Sequence, residues 1–212
     1  MNKLNIEPFE NYYNEYEEWF IKNKSVYLSE LKAVKKFIPK NKKGIEIGVG
    51  TGRFALPLGI RIGIEPSEKM GKVAQSKGIE VIKGVAEKLP LSDNSFDFAL
   101  LVTTICFVKN IDKTFSEAYR ILKKNGIIIV GFVDKESPLG KIYQKNKDKS
   151  KFYKPATFFS TEEVLESLKK AGFNNFQFYQ TIFSDSLNID KIEVPKKGYG
   201  EGSFVVIRGN KV

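Results

Sequence analysis

An α/β fold, a single sheet with helices packed on both faces, is predicted by three features of the 212-residue chain. Short apolar runs alternate with amphipathic stretches in successive β-then-α units. The first run, Gly44-Ile45-Glu46-Ile47, leads straight into glycines spaced two apart, Gly48-Val49-Gly50-Thr51-Gly52. The first and second runs each bring a carboxylate to their carboxyl ends, Glu46 and Glu65. Glycines there let the backbone turn sharply and let a ligand approach the main chain. In open parallel sheets ligands sit in the crevice outside the carboxyl ends of the strands. An ordinary glycine-rich turn beside a surface glutamate would explain the first run alone, but not its repetition in context.

Composition removes whole classes of chemistry. The chain has no histidine and one cysteine, Cys106. A Ser-His-Asp mechanism, a histidine zinc site and an internal disulfide are therefore excluded. Cys106 has no basic neighbour in sequence and reads as a small buried hydrophobe. Met1-Asn2-Lys3-Leu4-Asn5 carries no apolar signal core, and no run reaches membrane-spanning length, so a cytoplasmic protein with no membrane partner is expected. The net charge of +10 favours anionic partners, but its lysines are scattered in the manner of a solvated surface.

Residues 8–38 read as two helices. Phe9, Tyr12, Tyr13, Tyr16, Trp19 and Phe20 form an aromatic stripe at spacings of three and four, and Val26 to Ile38 form a second stripe ending before Pro39. The first stripe is either core packing or a lid. After the glycines, a first crossover must be very short, because only eight residues separate Gly52 from Arg61. Ile60 to Glu65 is the second strand, and Ser67 caps the helix after it, with Met70 one turn inside. A carboxylate in the position of Glu65 takes two donors at once, as a ribose diol offers.

The glycine spacing discriminates further. A dinucleotide fingerprint needs its third glycine where Arg53 stands, and the lysine of a P-loop is absent. The run Glu46-Ile47-Gly48-Val49-Gly50-Thr51-Gly52 instead resembles the E/D-x-G-x-G-x-G signature of class I S-adenosylmethionine-dependent methyltransferases, in particular the ubiquinone/menaquinone-biosynthesis group. Gly84-Val85-Ala86-Glu87-Lys88-Leu89-Pro90 is similar to that family's G-D-A-E-x-L-P segment, with Val85 where an aspartate often holds the adenine amine. Leu122-Lys123-Lys124-Asn125-Gly126 is similar to its L-K-P-G-G turn.

The resemblance implies a Rossmann-like, seven-stranded, mostly parallel sheet whose last strand is antiparallel. It implies S-adenosylmethionine as cofactor and S-adenosylhomocysteine as product. The implied cofactor residues are Glu46, Gly48, Val49, Gly50, Gly52, Glu65, Pro66, Met70, Ala86, Glu87 and Thr103. Residues 1–40 become an N-terminal helical lid, and 41–212 the cofactor-binding domain.

The fourth strand, Phe96 to Val102, opens onto Thr103-Thr104, whose hydroxyls either meet the cofactor or cap a turn. Asp112 is expected to cap the following helix, and Ile127 to Phe132 to form the fifth strand. Residues 134–160 break the α/β rhythm with lysines interleaved among aromatics. Such a segment either caps a substrate or holds RNA by charge and stacking. A helix from Ser160 to Gly172 and strands near Phe176–Phe183 and Gly202–Arg208 complete the chain.

Methyl transfer to a small-molecule acceptor by in-line displacement is the leading expectation, with Tyr16, Trp19, Thr104 and Phe107 as acceptor-side candidates. An RNA or protein methyltransferase using the basic 141–154 stretch is the alternative, followed by a non-catalytic S-adenosylmethionine-binding protein and a nicotinamide-binding one. No general base stands out. Tyr13, Tyr16, Glu17 and Glu18 are candidates, while Asp97 lies too far down its strand.

Overall fold

The computed structural model describes residues 6–184 and 189–212. The first five residues, with the stretch that carries no apolar signal core and the start of the expected lid, lie outside the described residues. Three helices open the chain: α1 Glu7–Asn11, α2 Tyr13–Lys22 and α3 Lys24–Lys35. Two were expected. The backbone leaves helical geometry at Tyr12 and Asn23, which splits the aromatic stripe between α1 and α2.

The sheet follows with β1 Gly44–Ile47, β2 Ile62–Glu65, β3 Glu80–Lys83, β4 Phe96–Val102, β5 Leu122–Val133, β6 Asn174–Thr181, β7 Lys196–Lys197 and β8 Phe204–Asn210. Its order is β3-β2-β1-β4-β5-β8-β6-β7. The β1–β2, β1–β4, β2–β3 and β4–β5 pairings are parallel, whereas β8 runs antiparallel to both β5 and β6. Among the described residues the sheet therefore has eight strands instead of seven, and the last one is antiparallel as expected. The additional strand is the two-residue β7, paired with Tyr179 and Gln180. Two exposed lysines carry no alternation that a sequence pattern would register.

Between strands lie α4 Glu68–Ser76, α5 Ile111–Ile121, α6 Pro138–Lys145 and α7 Thr161–Lys170. Alternate residues of β4 serve opposite faces. Ala99 and Leu101 pack with Phe115, Ile121 and Leu168 of α5 and α7, while Phe98, Leu100 and Val102 pack with Val26, Val34 and Ala74 of α3 and α4. The β1–β2 crossover holds only a single 3-10 turn, Leu56–Leu58, as its shortness required.

Two local expectations are corrected. Asn110, not Asp112, caps α5, its side chain accepting from the Lys113 amide. Asp112 instead accepts from Ser167 Oγ at 2.6 Å and Lys170 Nζ at 2.5 Å, tying α5 to α7. The turn at Leu122–Gly126 is absorbed into β5: Leu122 already pairs with Phe96, and the irregularity sits at Asn125, whose φ is +62°. Asparagine tolerates that left-handed geometry, so pairing resumes beyond it. Among the described residues no helix is long and apolar enough to cross a membrane.

Candidate active site

A cavity of about 640 Å³ opens at the carboxyl ends of β1, β2 and β4. Its floor is the glycine loop, where Gly48, Gly50 and Gly52 have φ of +77°, +55° and +82°. The amides of Gly48 and Val49 both donate to the Ile64 carbonyl, at 2.8 and 2.9 Å, which pins the loop to the end of β2. Glu65 braces the same loop. Its Oε2 accepts from the Gly50 amide at 2.8 Å and its Oε1 from the Ser67 amide at 2.9 Å. Burial pushes the Glu65 carboxyl up to about 7, against the downward pull of those two N–H groups. Two of the four lone-pair directions of an ionised Glu65 remain for a ligand.

Gly48, Gly50, Glu65, Pro66, Met70, Ala86, Glu87 and Thr103 all line the cavity. So do Tyr16, Trp19, Thr104 and Phe107. Three expected cofactor residues are not on the wall. Val49 turns into the core against Gly63, where an added Cβ would come within 2.5 Å of it. Gly52 is held by Ile79, whose Cδ1 would lie 2.4 Å from a Cβ. Glu46 is 2 % exposed; burial, and then the nearby Glu65, push its carboxyl well above the usual range, with the Ala55 amide pulling the other way. Its Oε2 has no hydrogen-bond partner among the described residues. A buried carboxyl oxygen left unpaired is costly, and Glu46 lies on β1 two residues before Gly48 of the cavity floor.

The roof is aromatic. Phe9 meets Phe107 edge-on at 4.9 Å between ring centres and tilts against Phe152 at 5.7 Å. Tyr16 lies 6.3 Å from Phe152, and Phe107 stacks on Tyr153 at 6.0 Å. Phe9, Phe152 and Tyr153 were missing from the expected site. Their only sequence signal was an aromatic stripe and a basic-aromatic insertion, and neither says which distant segments meet.

Charged contacts hold this roof to the body. Glu17 of α2 accepts from Arg53 Nη2 at 2.5 Å, from Arg53 Nε at 3.2 Å, and from the Thr51 hydroxyl. The residue that breaks the dinucleotide spacing thus clamps a helix over the loop. Glu10 accepts from the Glu68 amide at 2.5 Å, at the start of α4. Lys151 reaches both oxygens of Glu15 at 2.9 Å, joining the insertion to α2.

Tyr16 sits over the glycine loop, its hydroxyl 3.3 Å from where a Gly50 Cβ would lie. Burial, then Glu46, Glu65 and Glu17, hold its phenol far above the ordinary range. Tyr16 therefore stays protonated near neutral pH and is unsuited to be a general base. Thr104 Oγ1 lies 3.2 Å from the Ile47 carbonyl and 3.1 Å from that of Val102, which makes it a turn-capping hydroxyl. The Cys106 thiol, pushed up to about 12 by burial, donates to the Thr103 carbonyl. A nucleophilic role is thereby disfavoured.

Comparison with known proteins agrees with this geometry. Residues 45–130 match the model of a methyltransferase domain. A crystal structure of a SAM-dependent methyltransferase, possible histamine N-methyltransferase, from Thermotoga maritima superposes with a TM-score of 0.95 at 57 % identity, covering 98 % of this chain and 100 % of that one. An uncharacterized protein of Methanocaldococcus jannaschii is 50 % identical over 96 % of this chain and 98 % of its own length. A ubiquinone/menaquinone biosynthesis C-methyltransferase of Campylobacter jejuni is 30 % identical over 71 % of this chain and 78 % of its own. The nicotinamide and non-catalytic alternatives are set aside. The chain belongs to the class I S-adenosylmethionine-dependent methyltransferases, an enzyme family whose methyl donor is S-adenosylmethionine.

Proposed function

We propose that this enzyme methylates a small molecule enclosed between the glycine loop and the aromatic roof. The observation that carries the reading is the cavity itself. At about 640 Å³ it falls in the range of small-molecule sites, on the order of 300–1,000 Å³, and it is roofed by α1, α2 and the insertion.

The residues present fit the cofactor. Glu65 would take the ribose hydroxyls on its remaining lone pairs, the Gly48–Gly50 backbone would run beneath the methionine part, and Pro66, Met70 and Ala86 would flank the adenine. With Val85 apolar, Glu87 on the cavity wall is the side chain that would take the adenine amine. Its Oε1 already takes the Lys109 amide at 2.6 Å, leaving Oε2 for the ligand. When bound, S-adenosylmethionine supplies a methyl group already activated by its sulfonium. The chain has then to orient the acceptor in line and exclude water. Phe9, Tyr16, Trp19 and Phe107 form the surface that does so, and a half-buried, neutral Tyr16 is suited to hydrogen-bond without accepting a proton.

The insertion supports the same reading over nucleic-acid methylation. Stacking on bases needs aromatic faces turned outward. Here Tyr153 stacks on Tyr143 at 4.9 Å and, with Phe152, lines the cavity, while Lys151 is paired with Glu15. The test is to incubate the protein with methyl-labelled S-adenosylmethionine and a cell extract, then separate small molecules, RNA and protein. Label in the small-molecule fraction is expected. Label confined to RNA or protein refutes the proposal.

A further inference from the structure

Six non-glycine residues among those described have positive φ. Four are asparagines, which tolerate the left-handed region. The other two are β-branched, Thr103 at +50° and Ile182 at +61°, where such residues are genuine outliers. Ile182 has a structural reason to be there, since it is fully buried in the core formed by α3 and the sheet. Thr103 has none of that kind. It is only partly buried, on the wall of the main cavity and of a small second cavity behind it.

The turn at Thr103 is imposed by its surroundings. Its amide donates to the Gly131 carbonyl at 2.8 Å, and its carbonyl accepts from the Cys106 thiol at 3.2 Å. The Phe107 amide closes the next turn onto the Thr104 carbonyl at 2.9 Å. Glycine would adopt this geometry without strain, as it does three times in the facing loop. The two neighbouring hydroxyls also differ. That of Thr104 is taken up by the Ile47 and Val102 carbonyls, whereas that of Thr103 has no hydrogen-bond partner among the described residues. These contacts hold the turn but do not call for a threonine in it, and a strained residue retained on a cavity wall points from the outlier to function.

We infer that Thr103 is kept in this strained turn to present its hydroxyl to the methyl acceptor, making it the residue that selects the acceptor's polar group. This inference rests on the small-molecule reading of the cavity. A hydroxyl both donates and accepts. The acceptor class is then an apolar body fitting among Phe9, Phe107 and Phe152, carrying one N–H or O–H group that meets Thr103.

Two variants separate the side chain from the strain. Thr103→Gly removes both the hydroxyl and the strain, and Thr103→Val removes the hydroxyl but keeps the branched shape. Each is measured for melting temperature, for S-adenosylhomocysteine affinity by calorimetry, and for label transferred from methyl-labelled S-adenosylmethionine to the separated extract fractions. Thr103→Gly is expected to melt higher than the parent. Both variants are expected to lose tenfold or more of the transfer rate, with S-adenosylhomocysteine affinity within twofold. Transfer retained within twofold by either variant overturns the inference. So does a Thr103→Gly protein that melts lower, because the side chain is then held by packing. A parallel fall in S-adenosylhomocysteine affinity assigns the hydroxyl to the cofactor and overturns it too. Label appearing only in RNA or protein with the parent enzyme refutes the small-molecule reading separately, and the variants are then scored on that fraction.

Discussion

With Glu65 as the proposed acceptor of the ribose hydroxyls, the stability of the empty enzyme and its affinity for cofactor should move in opposite directions with pH. Its carboxyl lies at about 7 in the folded protein, against an ordinary 4.5, because burial disfavours the charged form. A carboxyl raised on folding contributes stability that is fully present below about pH 4.5 and is lost as pH rises through about 7. The cofactor-free protein should therefore melt at lower temperature as pH rises across that window. Cofactor binding should have the reverse sign, because only an ionised carboxylate could accept from both ribose hydroxyls while holding the Gly50 and Ser67 amides. If binding requires that form, affinity at about pH 6 is roughly tenfold weaker than at about pH 8. Calorimetric titration with S-adenosylmethionine across this range gives the slope. Glu65→Gln is informative because each native oxygen already faces a backbone donor. A glutamine can satisfy only one of them and sets its NH₂ against the other, costing about 1–3 kcal/mol for the unpaired donor before any ligand contact is lost. The variant should bind at least about tenfold more weakly at pH 8 and lose most of the pH dependence. A parent affinity that is flat from pH 6 to 8, or a folded Glu65→Gln protein with parental affinity, would refute the reasoning.

Three further outcomes are expected. Gly50→Val should abolish measurable cofactor binding, since a branched side chain at φ +55° is strained and its Cβ would lie 3.3 Å from the Tyr16 hydroxyl; normal binding by calorimetry places the cofactor elsewhere. Trp19, the sole tryptophan, lies on the cavity wall edge-on to Phe20 at 5.1 Å, so its emission should change on adding cofactor, and Trp19→Ala should lower turnover more than melting temperature. A silent Trp19 whose loss destabilises the protein but spares activity would return the stripe to the core. Glu30 is buried on α3 and its carboxyl is pushed up to about 8 by burial alone. Ionising it should remove stability between about pH 4.5 and 8, on the order of 4–5 kcal/mol. Glu30→Gln should flatten that decline in a denaturation series, and an unchanged slope would count against it.

Features carried by local pattern were decided by the sequence itself. The alternation of apolar runs and helices predicted the α/β sheet, and the eight residues between Gly52 and Arg61 predicted a crossover with no room for a full helix. Ser67 was legible as a cap because capping depends on a residue three positions away, and its side chain indeed accepts from the Met70 amide. Glu65 and Gly50 were legible for the same reason: a strand end and the following turn specify where they point. Tertiary structure alone decided which separate segments converge. Phe9, Phe107 and the adjacent pair Phe152 and Tyr153 come from three stretches of chain, and their meeting depends on how crossovers of different length pack against one sheet. It also divided the glycine motif. Gly48 and Gly50 reach the cavity, while Gly52 and Val49 spend their positions on contacts with Ile79 and Gly63. A glycine crowded by a neighbouring side chain, as Gly52 is by Ile79 and Gly48 by Thr104, and a glycine that borders a cavity are written with the same residue, and only the atoms packed around each tell which it is.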